Sequence, residues 1–263
     1  MHQAPSDADV RALKVKALAY GKQVDAFSIE ALAAQGAMQH ENVRIFLLAH
    51  AVRMLRAFQA VCTLVAADLN DGAGAVLRSL LEQHYVFTAI HRDPDALNRL
   101  ADEMSAEGFE AMKALMKVSP DVRGDVLSNE RLQEAQTHFK QGSGFHAHNW
   151  AGRVGMADSY FSLWRTLCGY AHGSSSMIHE YLQRDQNGNI VHIRSKVAVV
   201  AAIEFVLMSS GMLVDAVRAV DTRPGSELIR ARLDYFASVQ QQLYDDYFKL
   251  RGDPLAELDP MPA

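Results

Sequence analysis

The chain contains little cysteine and little proline. Two cysteines, Cys62 and Cys168, and seven prolines occur in 263 residues. Two cysteines are too few for a disulfide-stapled secreted domain, and both lie in apolar helical patterns. The first residues show no signal-peptide pattern, so we expect a reduced, cytoplasmic protein. Hydrophobic residues make up 49% of the chain and charged residues 22%, which excludes a disordered chain and suits a folded helical one.

The chain also lacks an excess of positive charge. Its formal net charge is −5 at pH 7, so it has no overall basic field of the kind that drives non-specific binding to nucleic acid. Binding of RNA would therefore need a local patch of basic residues.

One long run is almost free of charge. Residues Val197 to Val214 form an 18-residue segment with Glu204 in its middle. The segment is only just long enough to span a bilayer, and Ser209 and Ser210 dilute it. We interpret it as a buried core helix and expect no membrane partner.

Apolar residues recur with the period of an α-helix along most of the chain. In the first helix they follow a three-four spacing, at Val10, Leu13, Ala17, Tyr20, Val24 and Phe27. The second helix is expected to end near Asn70. The glycine-rich segment Gln141–Gly152 reads as a loop, and Asn187-Gly188 is a type I′ turn signal. We therefore predict an all-α, multi-helix bundle with a small hairpin or extended excursion near residues 182–194.

No internal repeat or low-complexity linker divides the chain, so we predict a single helical domain over residues 1–263. Its parts are an N-terminal helical pair (1–70), a central core (75–221), a C-terminal helix (226–250) and a frayed tail (252–263).

The most informative stretch is WRTLCGYAHGSSS, from Trp164 to Ser176. Arg165 and His172 are seven residues apart, so on a helix they project from nearly the same face, about 10 Å apart along the axis. An arginine fork and an imidazole that titrates near neutrality can act together on a phosphate. An ordinary helix that ends in His-Gly has the same spacing, with His172 at the negative end of the helix dipole and Gly173 as a left-handed cap. Both interpretations stay open.

A second constellation lies on the third helix. Arg78, Glu82 and Tyr85 follow helical spacing along one face. An exposed pair between Arg78 and Glu82 would be a weak intrahelical ion pair. If Glu82 is partly buried, it would instead hold an arginine, either Arg78 or Arg165, in a fixed pose for an anion.

The other candidate residues give weaker signals. His146 and His148 have no carboxylate or cysteine at ligand spacing, and the Glu-x-x-His pairs of di-iron bundles are missing. We therefore assign no metal ligand and no cofactor. The residues Gly173-Ser174 begin neither a Walker loop nor a nucleophile elbow. We interpret them as a cap for the next element and keep Ser174 as a supporting residue.

The segment Arg78-Ser-Leu-Leu-Glu82 and the later helix Tyr-Phe-Ser-Leu-Trp-Arg…Tyr-Ala-His-Gly-Ser together resemble a bacterial family, the domain of unknown function family 5677. The resemblance covers about residue Ala75 to the apolar helix near Ser195. It implies a helical core and carries no settled activity.

The helix that ends in His-Gly is also similar to the signature of the HEPN superfamily (higher eukaryotes and prokaryotes nucleotide-binding). In that superfamily an Arg, four to six residues and a His form a metal-independent ribonuclease site across a homodimer. The resemblance assigns these catalytic roles to Arg165 and His172, which have six residues between them. The position after the arginine is Asn, Asp or His in active members and is Thr166 here, which we include among the supporting residues.

The resemblance implies a HEPN-like metal-independent ribonuclease or toxin of a bacterial defence or stress system. Its partners would be a second copy of the chain, RNA or a nucleotide, and a protein antitoxin. The alternatives are a non-catalytic helical dimer that binds a nucleotide or a protein partner, and a metal-dependent bundle oxidase. A homodimer is also expected because the first helix and the apolar helix offer more hydrophobic surface than one bundle needs.

Overall fold

The computed structural model describes residues 6–35, 42–119, 128–172, 182–184, 189–193, 199–221 and 226–251. The helices are α1 (Asp7–Ala33), α2 (Asn42–Ala66), α3 (Asn70–Arg92), α4 (Ala96–Met116), α5 (Asn129–Gln136), α6 (Ala147–Arg153), α7 (Ala157–Ser159), α8 (Arg165–His172), α9 (Val199–Val220) and α10 (Glu227–Arg251). A π-helical turn, Tyr160–Trp164, joins α7 to α8. The predicted all-α bundle is confirmed.

The hairpin predicted near residues 182–194 is present as two short strands. Strand β1 (Leu182–Arg184) pairs antiparallel with β2 (Ile190–Ile193), and Leu182 lies opposite Ile193. The turn signal Asn187-Gly188 and the tail 252–263 lie outside the described residues.

Helix α1 begins and packs as its sequence predicts. The Ser6 side chain accepts a hydrogen bond from the backbone N–H of Asp9, which caps the first turn. All six residues of the predicted apolar stripe are buried, at 9% exposure or less. The stripe packs against α2, α9 and α10.

Helix α9 is the centre of the bundle. It packs against α1, α2, α3 and α10. The consecutive residues Phe205, Val206 and Leu207 are all at most 4% exposed, which requires neighbours on every side of the helix. Glu204 accepts a hydrogen bond of 2.8 Å from the Tyr247 hydroxyl of α10. The interpretation of this run as a buried core helix is confirmed.

Two of the described helices are long and apolar enough to cross a membrane, judged by length and composition alone. They are α2 and residues Val200–Val220 of α9. In the apolar window of α9, 67% of the residues are buried inside the bundle, against 33% in α2. Core helices of soluble proteins also meet these criteria, so the length and composition of α2 and α9 are weak evidence for a membrane span.

The structure corrects three details of the sequence interpretation. Helix α2 ends at Ala66, and Asn70 begins α3 instead of ending α2. The second half of the expected loop Gln141–Gly152 belongs to α6. The apolar faces of α1 and α9 contact each other inside one chain. These buried faces are therefore not the surplus surface on which the dimer was expected, although Val15 and Ile29 on the other side of α1 are exposed.

Two histidines are enclosed between the core helices. His84 of α3 is 6% exposed, and burial lowers its pKa from 6.5 to about 4, helped by the positive charge of Arg92. Burial also lowers the pKa of His50 to about 4, although its hydrogen bond to the Gln83 carbonyl oxygen opposes the shift. Both imidazoles are therefore neutral at pH 7.

We predict that the free energy of unfolding falls as the pH is lowered from 7 to 5. The unfolded chain takes up a proton at His84 near pH 6.5, whereas the folded protein resists protonation down to about pH 4. Acid therefore favours the unfolded state between these two values, and His84 alone should cost about 2 kcal/mol by pH 5. Guanidinium titrations at pH 7 and pH 5 measure the loss. His84→Gln should reduce it, and an equal loss in both proteins would contradict the assignment.

Candidate functional site

Helix α8 carries the candidate catalytic pair at its two ends. Arg165 is its first residue and His172 its last, and both side chains are exposed. Leu167 and Gly169 are buried on the inner face. The seven-residue spacing on an α-helical segment therefore puts Arg165 and His172 on the outer side of the bundle. Among the described residues, neither side chain has a hydrogen bond or an ion pair.

An exposed aromatic ring lies beside Arg165. The guanidinium carbon is 5.6 Å from the centre of the Phe161 ring, and Phe161 is 57% exposed. An arginine next to an exposed ring offers a surface on which a nucleic-acid base can stack. The outer side of α8 therefore carries a positive charge next to an aromatic ring, although the net charge of the whole chain is negative.

The residues before α8 form the π-helical turn. Such a turn holds one residue more than an α-helical turn, and it is often found at functional sites. The Ser162 hydroxyl donates a 2.7 Å hydrogen bond to the Asp158 carbonyl oxygen. The Thr166 hydroxyl donates one of the same length to the Ser162 carbonyl oxygen. Two hydroxyl side chains therefore bond to backbone carbonyls where the helix widens, and the Thr166 hydroxyl is engaged there.

Glu82 is the centre of a half-buried cluster between α3 and the π-helical turn. Its carboxylate lies 3.1 Å from the Arg78 guanidinium, and the two side chains are 22% and 25% exposed. The same carboxylate accepts a 2.8 Å hydrogen bond from the indole N–H of Trp164. The Arg78 guanidinium lies over the Trp164 ring, 4.8 Å from its centre. We call Arg78, Glu82 and Trp164 the Glu82 cluster.

Tyr85 makes the next contact along the same face of α3. Its side chain is fully buried, and its hydroxyl is 3.1 Å from the Ser159 hydroxyl. Burial raises the pKa of Tyr85, so the phenol stays neutral and holds the start of the π-helical turn. Tyr160 stacks on Trp164 with ring centres 4.6 Å apart, and His148 of α6 lies 5.9 Å from the Tyr160 ring.

The predicted site residues thus separate into two groups. Arg78, Glu82 and Tyr85 hold the π-helical turn against α3, whereas Arg165 and His172 face outward. Of the two arginines that the sequence offered to Glu82, the structure selects Arg78. Sequence reasoning missed the role of Trp164, because the sequence does not show that its indole N–H is partly buried and needs an acceptor from a distant helix. Ser174 lies outside the described residues.

In the described part of the chain, no three His, Cys, Asp or Glu side chains come together as ligands of one ion. His146 and His148 belong to the segment that the sequence predicted to be a loop, and their ring centres are 5.9 Å apart. His148 packs on Tyr160, so it is part of the aromatic contact beneath α8.

Fold and site together define an all-α bundle in which the half-buried Glu82 cluster holds the start of an outer helix with an exposed arginine and histidine. A family of unknown function (DUF5677) matches residues 44–190 of the chain, more than half of its length. The chain belongs to this family. The matched region runs from α2 into β2 and includes the Glu82 cluster, Arg165 and His172. The comparisons with curated proteins and with solved structures gave no match.

Gly74 allows α8 to lie close to α3. A Cβ atom at this position would come within 2.7 Å of Cγ of Tyr170 in α8. We predict that Gly74→Ala lowers the free energy of unfolding by about 1–3 kcal/mol, because the two helices must separate. Guanidinium titration measures the effect.

Gly72→Ala in the same helix is the matched control. Its Cβ would meet Leu64 methyl groups at 3.6 Å, an ordinary contact. Alanine is the better helix former, so this variant should be unchanged or more stable by up to about 1 kcal/mol. Equal stabilities of the two variants would contradict the close contact of α3 with α8.

Proposed function

We propose that this protein is a HEPN-like ribonuclease that cleaves RNA without a metal ion, with Arg165 and His172 as catalytic residues. The observation that carries the proposal is the exposure of both side chains on the outer side of α8, without an internal partner among the described residues. An arginine held by a carboxylate, as Arg78 is, would have to break an ion pair to bind a phosphate. Arg165 and His172 are available for this contact.

The chemistry needs one proton-transfer group and one cation. The 2′-hydroxyl of a ribose attacks the adjacent phosphorus while the bond to the 5′-oxygen of the next nucleotide breaks. His172 moves a proton at one of these two oxygens, and the Arg165 fork neutralises the charge of the phosphorane. The products are a 2′,3′-cyclic phosphate and a free 5′-hydroxyl. Because the nucleophile belongs to the substrate, the reaction needs no metal-bound water.

The Glu82 cluster would act as the support of this site. Trp164 directly precedes Arg165 and is held by a hydrogen bond and a ring contact. The cluster therefore fixes the point at which Arg165 leaves the bundle. Phe161, exposed beside Arg165, would stack on a base next to the cleaved bond.

The proposal extends to the partners. A second copy of the chain would bring its own α8 to the site, as the HEPN resemblance implies, and a protein antitoxin would cover the exposed Arg165 and His172. The setting would be the cytoplasm of a bacterium, in a defence or stress system.

A non-catalytic dimer that binds a nucleotide or a protein partner is the second candidate function. The observation that favours it is the Thr166 hydroxyl, which is bonded to the Ser162 carbonyl oxygen. The position after the arginine thus offers no free polar group to assist a reaction at phosphate.

The experiment compares cleavage of single-stranded and structured RNA by the wild type, His172→Ala and Arg165→Lys in the presence of a chelator. We predict that His172→Ala lowers the cleavage rate by ~10² to 10⁴-fold, the usual size of a proton-transfer contribution. Arg165→Lys should also be severely impaired, since it keeps the charge but loses the planar fork. The wild-type products should carry 2′,3′-cyclic phosphate ends.

His138→Ala is the control, because His138 is another exposed histidine and follows α5, away from α8. It should cleave as the wild type does. Equal cleavage by the wild type and His172→Ala would indicate a contaminating nuclease and remove the proposal. Absence of cleavage by all proteins, with RNA bound by the wild type, would leave the second candidate function.

We also predict that the protein is a dimer at micromolar concentration. An interface larger than ~1,000 Å² would be needed to make this association specific. Light scattering measures the mass in solution. A mass equal to that of one chain would contradict the dimer that both candidate functions assume.

A further inference from the structure

A cavity of about 790 Å³ lies outside α8, at the end of α3 and α9. One face of α3 lines it with His84, Phe87 and His91, at helical spacing. The end of α9 and Arg230, in the first turn of α10, also contribute to the lining. The volume lies within the usual range of sites that bind small molecules.

The rim of this cavity is rich in arginine. Arg92, Arg218 and Arg230 line it together with Asp215 and Asp221. Asp221 is buried and accepts a hydrogen bond from Gln35, and Arg218 is paired with Asp234 outside the cavity. The carboxylate of Asp215 lies 3.8 Å from the His84 ring. Arg92 and Arg230 are therefore the two lining cations that are not paired with a carboxylate among the described residues.

The side chains of Arg92 and Arg230 differ from that of Arg218 in having no carboxylate partner among the described residues. Arg92 donates a 3.0 Å hydrogen bond to the Val154 carbonyl oxygen, a neutral acceptor. The exposed Arg230 guanidinium has no hydrogen bond or ion pair among the described residues. Two arginine forks at one rim match the oxygen atoms of a phosphate group, which guanidinium groups bind through paired hydrogen bonds.

His91 is the aromatic side chain of this lining that a ligand can reach. Phe87 and His84 also line the cavity but are only 2% and 6% exposed. The exposed His91 ring lies nearly parallel to the Phe87 ring, with centres 6.3 Å apart, so Phe87 supports it from the core. A flat group can pack on the His91 ring while a phosphate contacts the arginines.

We infer that this cavity binds a small organic phosphate of about mononucleotide size, with its phosphate on Arg92 and Arg230 and its ring system against His91. The α8 residues Arg165 and His172 do not line the cavity. The inference is therefore independent of the proposed ribonuclease activity, and a ligand here would act from a separate site.

The experiment is isothermal titration calorimetry of the purified full chain with adenosine 5′-monophosphate, uridine 5′-monophosphate, adenosine and inorganic phosphate. At least one mononucleotide should bind with one site per chain and a Kd below ~1 mM, and adenosine and phosphate should each bind at least tenfold more weakly. Arg230→Ala should weaken mononucleotide binding by about tenfold or more, since one phosphate contact is lost. It is the cleaner variant, because Arg92 also holds Val154.

Two controls separate this site from general charge effects and from α8. Arg99→Ala removes the same charge from an exposed arginine that is paired with Asp93 outside the cavity, and it should bind as the wild type does. Arg165→Ala should also bind normally. The inference is overturned if no mononucleotide binds, if Arg230→Ala and Arg99→Ala bind equally, or if only Arg165→Ala loses binding. Binding of inorganic phosphate as tight as that of the mononucleotides would likewise overturn it.

Discussion

The burial of α9 is the constraint on which the rest of the structure depends. The helix is apolar around its circumference, so it is stable in water only when α1, α2, α3 and α10 cover it. This requirement fixes α3 with one face toward α9. Another face of α3 then holds α8, and Tyr170 of α8 also contacts Phe205 of α9, with ring centres 5.4 Å apart.

The Glu82 cluster connects this core to the surface chemistry. A carboxylate at this depth is costly unless it is paired and hydrogen-bonded. Glu82 obtains one cation from its own helix and one N–H from a residue 82 positions further along the chain. Arg78 is thereby engaged within the fold, whereas Arg165 has no hydrogen bond or ion pair among the described residues, which is why we propose Arg165 as the phosphate ligand. The two arginines therefore have different tasks despite their neighbouring positions.

The sequence predicts most of the fold because the spacing of apolar residues is a local signal, and in α1 this spacing identifies the buried stripe correctly. Prediction from the sequence fails where a local signal conflicts with tertiary packing. Asn70 indicates a helix boundary, but its residue type does not show whether it ends one helix or begins the next. In the structure the chain turns from α2 to α3 at Asp68, whose φ is +60°. The glycines of Gln141–Gly152 indicate a loop, but burial of Trp150 stabilises a helix there. The bond from Trp164 to Glu82 joins distant positions, so no local pattern reveals it.

The π-helical turn before α8 has a consequence for how this surface came to exist. An α-helix advances by about 100° per residue, whereas the wider π-helical turn takes up one additional residue within a single revolution. The helix after the turn therefore keeps its facing, with Tyr160 and Trp164 packed on the bundle and Arg165 and His172 exposed. An insertion of one residue at this point lengthens the chain without turning the outer side of α8 toward the core.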